Sequence, residues 1–557
     1  MSFLLKIIKF LKIILIFTAF PFQFSVSNQV IFEDNEIFKS SKPEFLSEFN
    51  IAGNKNIKSE EIFSDKSFEQ VDEFFNSLPV QNTDEVIQNL IFEILVSKKS
   101  FDRNLIGSED DKNLFKTLIN KLFETGRLSE IELIYSQTSE LENNNFILKK
   151  MIEANLLRNR HAEACKILEK VDQNPLFFGK IMIICNIINS KFDEAKLGLQ
   201  LLKEQNQPGD IFFIELAFSL MSDKDITQSD DLKRNLDKIK ELNPIIMSSL
   251  QFADISPNFE QIEKLSTSGL LFVLSNPSVK TDLKIFCSEI LVKQGRINVE
   301  MLAEAYQLAK FEDKEIQNAE RIYKSLSPVR ARPLLYQSII RDNKPESKFR
   351  KIIALTKISI NDDLLSKISY LIGDLMDFEK YLRNHEDTIL VSQLYQSKGM
   401  FQRAKEILKI HYKSPESDYR NLAIEIANFL KTNQIDNYSL EKELEKFDDS
   451  KITDSIFVKK VLMVLISNID LNQNVIDKLL RISIDTNIKS MDIKDFFLAS
   501  SLSLKGDYFN SLSLLFKIVG NKNFMQLNLI ESFSVLTILK NLGFDTEFRM
   551  LSERILI

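Results

Sequence analysis

The stretch "RNRHAEACKILEKV", residues 158–171, carries a histidine, a cysteine and two acidic residues in one short run. Whether it is a reactive site or one copy of a recurring unit decides the fold. Beside "NRHAEACKILEKV" (159–171) stand "GRLSEIELIYSQT" (126–138), "SKFDEAKLGLQLL" (190–202), "GMFQRAKEILKIH" (399–411) and "GDYFNSLSLLFKI" (506–518). Each begins with a turn-forming residue. Two places on comes a large side chain: Leu128, His161, Phe192, Phe401 or Tyr508. Three places further comes a mostly small one: Ile131, Ala164, Ala195, Ala404 or Ser511. From there positions i, i+3, i+4 and i+7 are mostly apolar, as in Ala164, Ile167, Leu168 and Val171, which is one face of a helix.

The copies start 33 residues apart from 126 to 159 and 31 apart from 159 to 190. Weaker copies begin near Pro257, Gly295 and Gly543. A leading helix precedes several turns: "NFILKKMIEANLLRN" (145–159), "LFFGKIMIICNIINS" (176–190) and "DTILVSQLYQSKG" (387–399). A period of ~34 residues with helix, turn, helix predicts stacked antiparallel helix pairs, an all-α right-handed α-solenoid. The composition agrees. Only 13 Gly and 12 Pro are too few for many short strands, and with no Trp the apolar packing falls to Leu, Ile and 44 Phe.

The order of turn, aromatic, x-x-Ala, helix and a closing Pro (Asn174-Pro175) resembles the second helix of a tetratricopeptide repeat. The resemblance covers about half of residues 110–557 and implies a partner-binding array. The chain is also similar to uncharacterised secreted helical-repeat proteins of bacteria, a likeness that implies no activity. In this frame His161 fills the large-residue slot and Cys165 lies beside the apolar face, so both are expected to pack.

The N-terminus "MSFLLKIIKFLKIILIFTAFPFQFSVSNQ" has three lysines, an apolar run from Ile13 to about Phe24, and a small-x-small step at Ser25-Val26-Ser27. That is the order of a secretory signal, with cleavage expected after Ser27; the alternative is an uncleaved membrane anchor that recruits Leu4–Phe10 and takes Lys6, Lys9 and Lys12 into the apolar span. The run is short against the ~20 residues a membrane-spanning helix needs, and no later run is long enough. Removing 1–27 takes Lys6, Lys9 and Lys12 and no acid, moving the formal charge from −7 to −10. A net acidic chain without a long basic stretch argues against nucleic acid. Residues 28–66 are expected to form a flexible acidic segment, and 67–557 one continuous array. "SFEQVDEFFNSLP" (67–79) reads as a helix ended by Pro79, and "NTDEVIQNLIFEILVS" (82–97) as a helix capped by Asn82 or Thr83.

Three cysteines, 165, 185 and 287, are no disulfide framework for a chain of this size. Cys165 and Cys185 are read on neighbouring antiparallel helices at unequal distances from the turn near Asn174-Pro175, so free buried thiols are expected. Three histidines, 161, 385 and 411, share no helical spacing, and no metal or cofactor is expected. No nucleophile elbow, P-loop or dinucleotide fingerprint is present. Glu531-Ser532 with "FMQ" (524–526) has the residue types of a lytic transglycosylase in the wrong order, with too little chain after it for that catalytic fold. One charge feature stands out. Residues 321–351 hold nine basic against two acidic residues, and Arg321, Arg330, Arg332, Arg341, Lys348, Arg350 and Lys351 form a candidate patch for an anionic partner.

These readings point to a non-enzymatic, exported scaffold of the bacterial cell envelope that holds a protein or peptide in a groove. The alternatives are an envelope enzyme acting on peptidoglycan, or a structural subunit of an export assembly docked through the amphipathic "FRMLSERILI".

Overall fold

A computed structural model describes residues 62–97, 109–137, 144–171, 176–205, 210–222, 230–373, 376–411, 415–432, 461, 464 and 490–557. All of them fall within one unit, Ser40–Ile557. The signal segment, the Asn174-Pro175 turn and most of the 28–66 segment lie outside the described residues. Among the described residues the chain is all helical, with 27 α-helices, three short 3₁₀ helices and no strand. No described helix is long and apolar enough to cross a membrane.

The recurring turn is the organising device. Backbone φ is positive at Gly126, Asn159, Ser190, Asp254, Gly295, Asp363, Gly399, Gly506 and Gly543. In each case the following N–H donates to the carbonyl five residues back, as from Arg127 to Leu122 at 2.9 Å and from Arg160 to Asn155 at 2.8 Å. That is a left-handed helix cap satisfying an otherwise orphaned carbonyl. After seven of the nine turns the next helix starts two residues on, at Leu128, His161, Phe192, Leu365, Phe401, Tyr508 and Asp545. All five quoted copies begin on such a turn residue. Their fourth helical residues, Ile131, Ala164, Ala195, Ala404 and Ser511, are fully buried.

Small side chains at that point let paired helices come close. Leu176–Ile188 packs on Phe192–Glu204, Asn145–Leu157 on His161–Leu168, and His385–Ser397 on Phe401–His411. A Cβ added at Gly198 would lie 2.8 Å from Ile183 Cγ1, so glycine is needed there.

Two hydrophobic cores result. The large one runs from Ile62 to Leu556. A satellite holds Leu148, Ile152, Leu156, Ala164, Phe178, Ile181, Ile184, Leu199, Leu202, Phe213, Ala217 and Ile245 among others. The helix Asn145–Leu157 serves both: Ile147, Met151, Ala154 and Leu157 face the large core, and Leu148, Ile152 and Leu156 the satellite. A helix apolar around its circumference is one buried on both sides.

The ends of the described region meet. Phe68–Ser77 packs on Tyr508–Val519, and Glu85–Val96 on Asp545–Leu556. A strictly linear array, each unit touching only its neighbours, has no place for such contacts.

Three expectations change. Ile62 and Phe63, assigned by sequence to the flexible segment, are buried, with the Phe63 ring 5.7 Å from Phe74 and 6.3 Å from Phe509. The cap of Glu85–Val96 is Asp84, whose carboxylate accepts from the Val86 N–H at 2.9 Å, while Asn82 accepts from Asp84 N–H at 2.7 Å. Most importantly, Cys165 and Cys185 form a disulfide, with Cα atoms 5.8 Å apart. They lie ten residues before and ten after position 175, so on antiparallel helices joined there they are level. Cys287 is the buried free thiol, and burial raises its pKa.

Candidate functional site

Local pairing absorbs much of the basic stretch 321–351. Arg332 is buried on the helix Pro328–Arg341. Its guanidinium grips both carboxylate oxygens of Glu289, at 2.7 Å from Nε to Oε1, and donates to Asp362 at 2.5 Å and to the Ile358 carbonyl at 3.2 Å. Tyr306 Oη donates to the same Glu289 at 2.8 Å. Lys351 is buried on Asp342 at 2.6 Å. That Lys351 contact, with hydrogen bonds from Ser347 and the Lys344 N–H, outweighs burial and holds Asp342 down at about 2. Arg330 pairs with Asp282 at 2.9 Å, Arg341 with Asp313 at 3.6 Å, and Arg350 with Glu320 at 3.0 Å and Glu346 at 3.3 Å. Arg321 is exposed and Lys348 half-buried. The partners of Arg330, Arg332 and Arg341 come from segments outside 321–351, which a count along the chain does not see.

The other sequence candidates take structural places. His161 opens its helix, and its Nε2 lies 2.9 Å from Ser248 Oγ with the ring 4.6 Å from Phe252. Burial pushes His161 below the usual imidazole range, against the pull of Glu163. His385 opens one helix and His411 closes another. Glu531 caps a helix reciprocally with Asn528, both bonds at 2.9 Å, and Lys522 lies 3.0 Å from it. Ser532 is buried. In the terminal helix Phe548, Leu551, Ile555 and Leu556 are buried within the chain, so its apolar face is already covered.

The sequence did not reveal a second polar cluster, where the chain closes. Asp84 is fully buried and accepts from Arg554 at 2.6 Å across 470 residues. Asn82 donates to the carbonyls of Gly520 and Lys522 at 2.8 and 2.6 Å. Lys367 reaches Glu85 at 2.7 Å, and Asn523 reaches Asp363 at 2.8 Å. Burial raises the Asp363 pKa despite the nearby Arg554. Burial opposes the Arg554 charge, but Asp84, Asp363 and Glu85 outweigh it and the pKa rises. Such a cluster locks geometry, because removing one member leaves its partner charged and buried.

Several described helices expose large apolar side chains, and one run of them is close in sequence. Met182, Ile188, Phe192, Leu197, Leu201, Ile211 and Phe218 are all exposed, on three helices consecutive in sequence. On Phe192–Glu204 the face with Ala195, Leu199 and Leu202 is buried. The opposite face carries Leu197 and Leu201, one turn apart and 59% and 54% exposed. Two leucines one turn apart on a solvent side that also carries Glu194, Gln200 and Glu204 suit a protein contact with an apolar centre and a polar rim. The signal was present in "KLGLQLL" (196–202), whose leucines outnumber what one buried face needs.

No protein-family model matches the chain, and no curated protein matches it.

Proposed function

We propose that the protein is a non-enzymatic binding scaffold, a tetratricopeptide-like α-solenoid closed by its terminal helices, working in the bacterial cell envelope. The single observation that carries the binding role is the exposure of Leu197 and Leu201 on the side of Phe192–Glu204 opposite its buried face. Its ligand is a protein or peptide offering apolar side chains of its own. The Cys165–Cys185 bridge supports export, since such bonds persist in oxidising compartments. The lysine-then-apolar N-terminus supports the same placement.

The test is site-specific photocrosslinking in cells, with the crosslinker at Leu197 or Leu201 and, as control, at exposed Lys264. The expected result is one recurrent envelope protein from the two leucine positions, lost in the Leu197→Glu/Leu201→Glu double variant. Equal labelling from Lys264, or recovery of glycan fragments alone, would overturn the reading and favour an enzyme of the cell wall.

A further inference from the structure

Two of the nine turns share the dipeptide Gly-Arg: Gly126-Arg127 and Gly295-Arg296. They have the same geometry, with φ of 75° and 66° and cap hydrogen bonds of 2.9 and 2.8 Å. The fold brings them together across 170 residues, where an Arg296 terminal N–H donates to the Gly126 carbonyl at 2.9 Å. Two guanidiniums therefore share one partly buried place.

Their charge is poorly answered. Glu130 is the nearest acid to Arg127, at 4.0 Å, too far for a hydrogen bond. The Arg127 guanidinium instead lies over Phe92, its central carbon 3.6 Å from the ring centroid, a contact that consumes none of its N–H donors. Arg296 Nε is buried and has no partner. Glu85 touches the Gly295 turn closely enough that a Cβ there would lie 2.7 Å from its Oε1, while its Oε2 pairs with Lys367 at 2.7 Å. Burial first, and then the Arg296 charge, push Arg127 down to about 9, against the pull of Glu130. Burial also lowers Arg296, with Glu130 opposing. An orphaned buried N–H and an uncompensated cation are both costly, and one oxyanion would answer both.

We propose that Arg127 and Arg296 form an oxyanion-binding site that takes a carboxylate or phosphate group between the two guanidiniums. The glycine turns hold both arginines in place before the anion arrives. The site is separate from the exposed Leu197 and Leu201 and does not depend on them.

The experiment is calorimetric titration of the full-length exported chain with inorganic phosphate and, separately, acetate, at ionic strength held constant with chloride. One saturable site per chain is expected for at least one anion. Phosphate alone would assign a phosphate site, and acetate, alone or with phosphate, a site that takes carboxylates. Arg296→Lys keeps the charge but loses the fork and should weaken binding about tenfold or more. Arg127→Gln should abolish binding. It should also leave the anion-free melting temperature unchanged or raised, because it removes a like-charge contact. Absence of saturable binding by both anions, or binding that Arg296→Lys leaves unchanged, would overturn the proposal.

Discussion

The satellite core and the closure of the large core are held in opposite ways. In the satellite most partners are near in sequence: helix packs on next helix, and the Cys165–Cys185 bridge spans 20 residues, although Pro244–Phe252 also packs on Asn145–Leu157. Its helices leave large apolar side chains exposed, with Leu197 and Leu201 the clearest case. At the closure, partners are far apart in sequence and charged, as in Asp84 with Arg554 and Lys367 with Glu85. The pair Glu289–Arg332, 43 residues apart and fully inside, belongs to the same style. The difference teaches that a repetitive chain can leave one stretch open for contact while polar locks fix the rest.

Four variants break or sharpen that contrast. Arg332→Ala leaves Glu289 buried without its cation and should cost about 3–5 kcal/mol, read as a fall in the chemical denaturation midpoint of the large core. The Cys165→Ser/Cys185→Ser double variant should cost about 3 kcal/mol from the opened loop. Hydrogen exchange should then speed up within 145–220 while 85–96 and 545–556 keep their protection. Equal loss in both places would dissolve the contrast.

A smaller effect is expected from pH. Burial, then the Glu547 carboxylate, push Glu93 up to about 7, where Glu85–Val96 packs on Asp545–Leu556. Between its unfolded value of 4.5 and about 7 the folded chain binds more protons than the unfolded one, so stability falls as pH rises through that window. Glu93→Gln should flatten the melting temperature across it. The smallest effect belongs to Ser190, a non-glycine residue at φ 59°. Ser190→Gly should gain about 0.5 kcal/mol, the relief of left-handed strain less the chain entropy of glycine. The gain should appear only in the protection of the satellite.

The turns were the most legible part of the fold. Gly126, Asn159, Ser190, Gly399 and Gly506 were each readable as the start of a helix, and Gly295 and Gly543 as weaker copies, because a left-handed cap restricts residue type. Asp254 and Asp363 were missed because aspartate is also an ordinary surface residue, and the weak copy was set at Pro257, three residues late. The basic stretch looked like a patch because its acids, Glu289, Asp362, Asp282 and Asp313, lie outside the window counted. Local pattern says nothing of partners 282 or 470 residues away, so the closure and the meeting of the two Gly-Arg turns were invisible. The disulfide was within reach, since counting from position 175 places both cysteines level.

The bond from Asp84 to Arg554 also orders events in time. A chain emerges from its N-terminus, so Asp84 is made 470 residues before Arg554. Until Arg554 arrives, Asp84 lacks the cation it is buried against, and the large core cannot finish. The satellite, complete apart from Ile245 by residue 217, has nearly all its own contacts long before. Synthesis therefore completes the satellite first and the closure last.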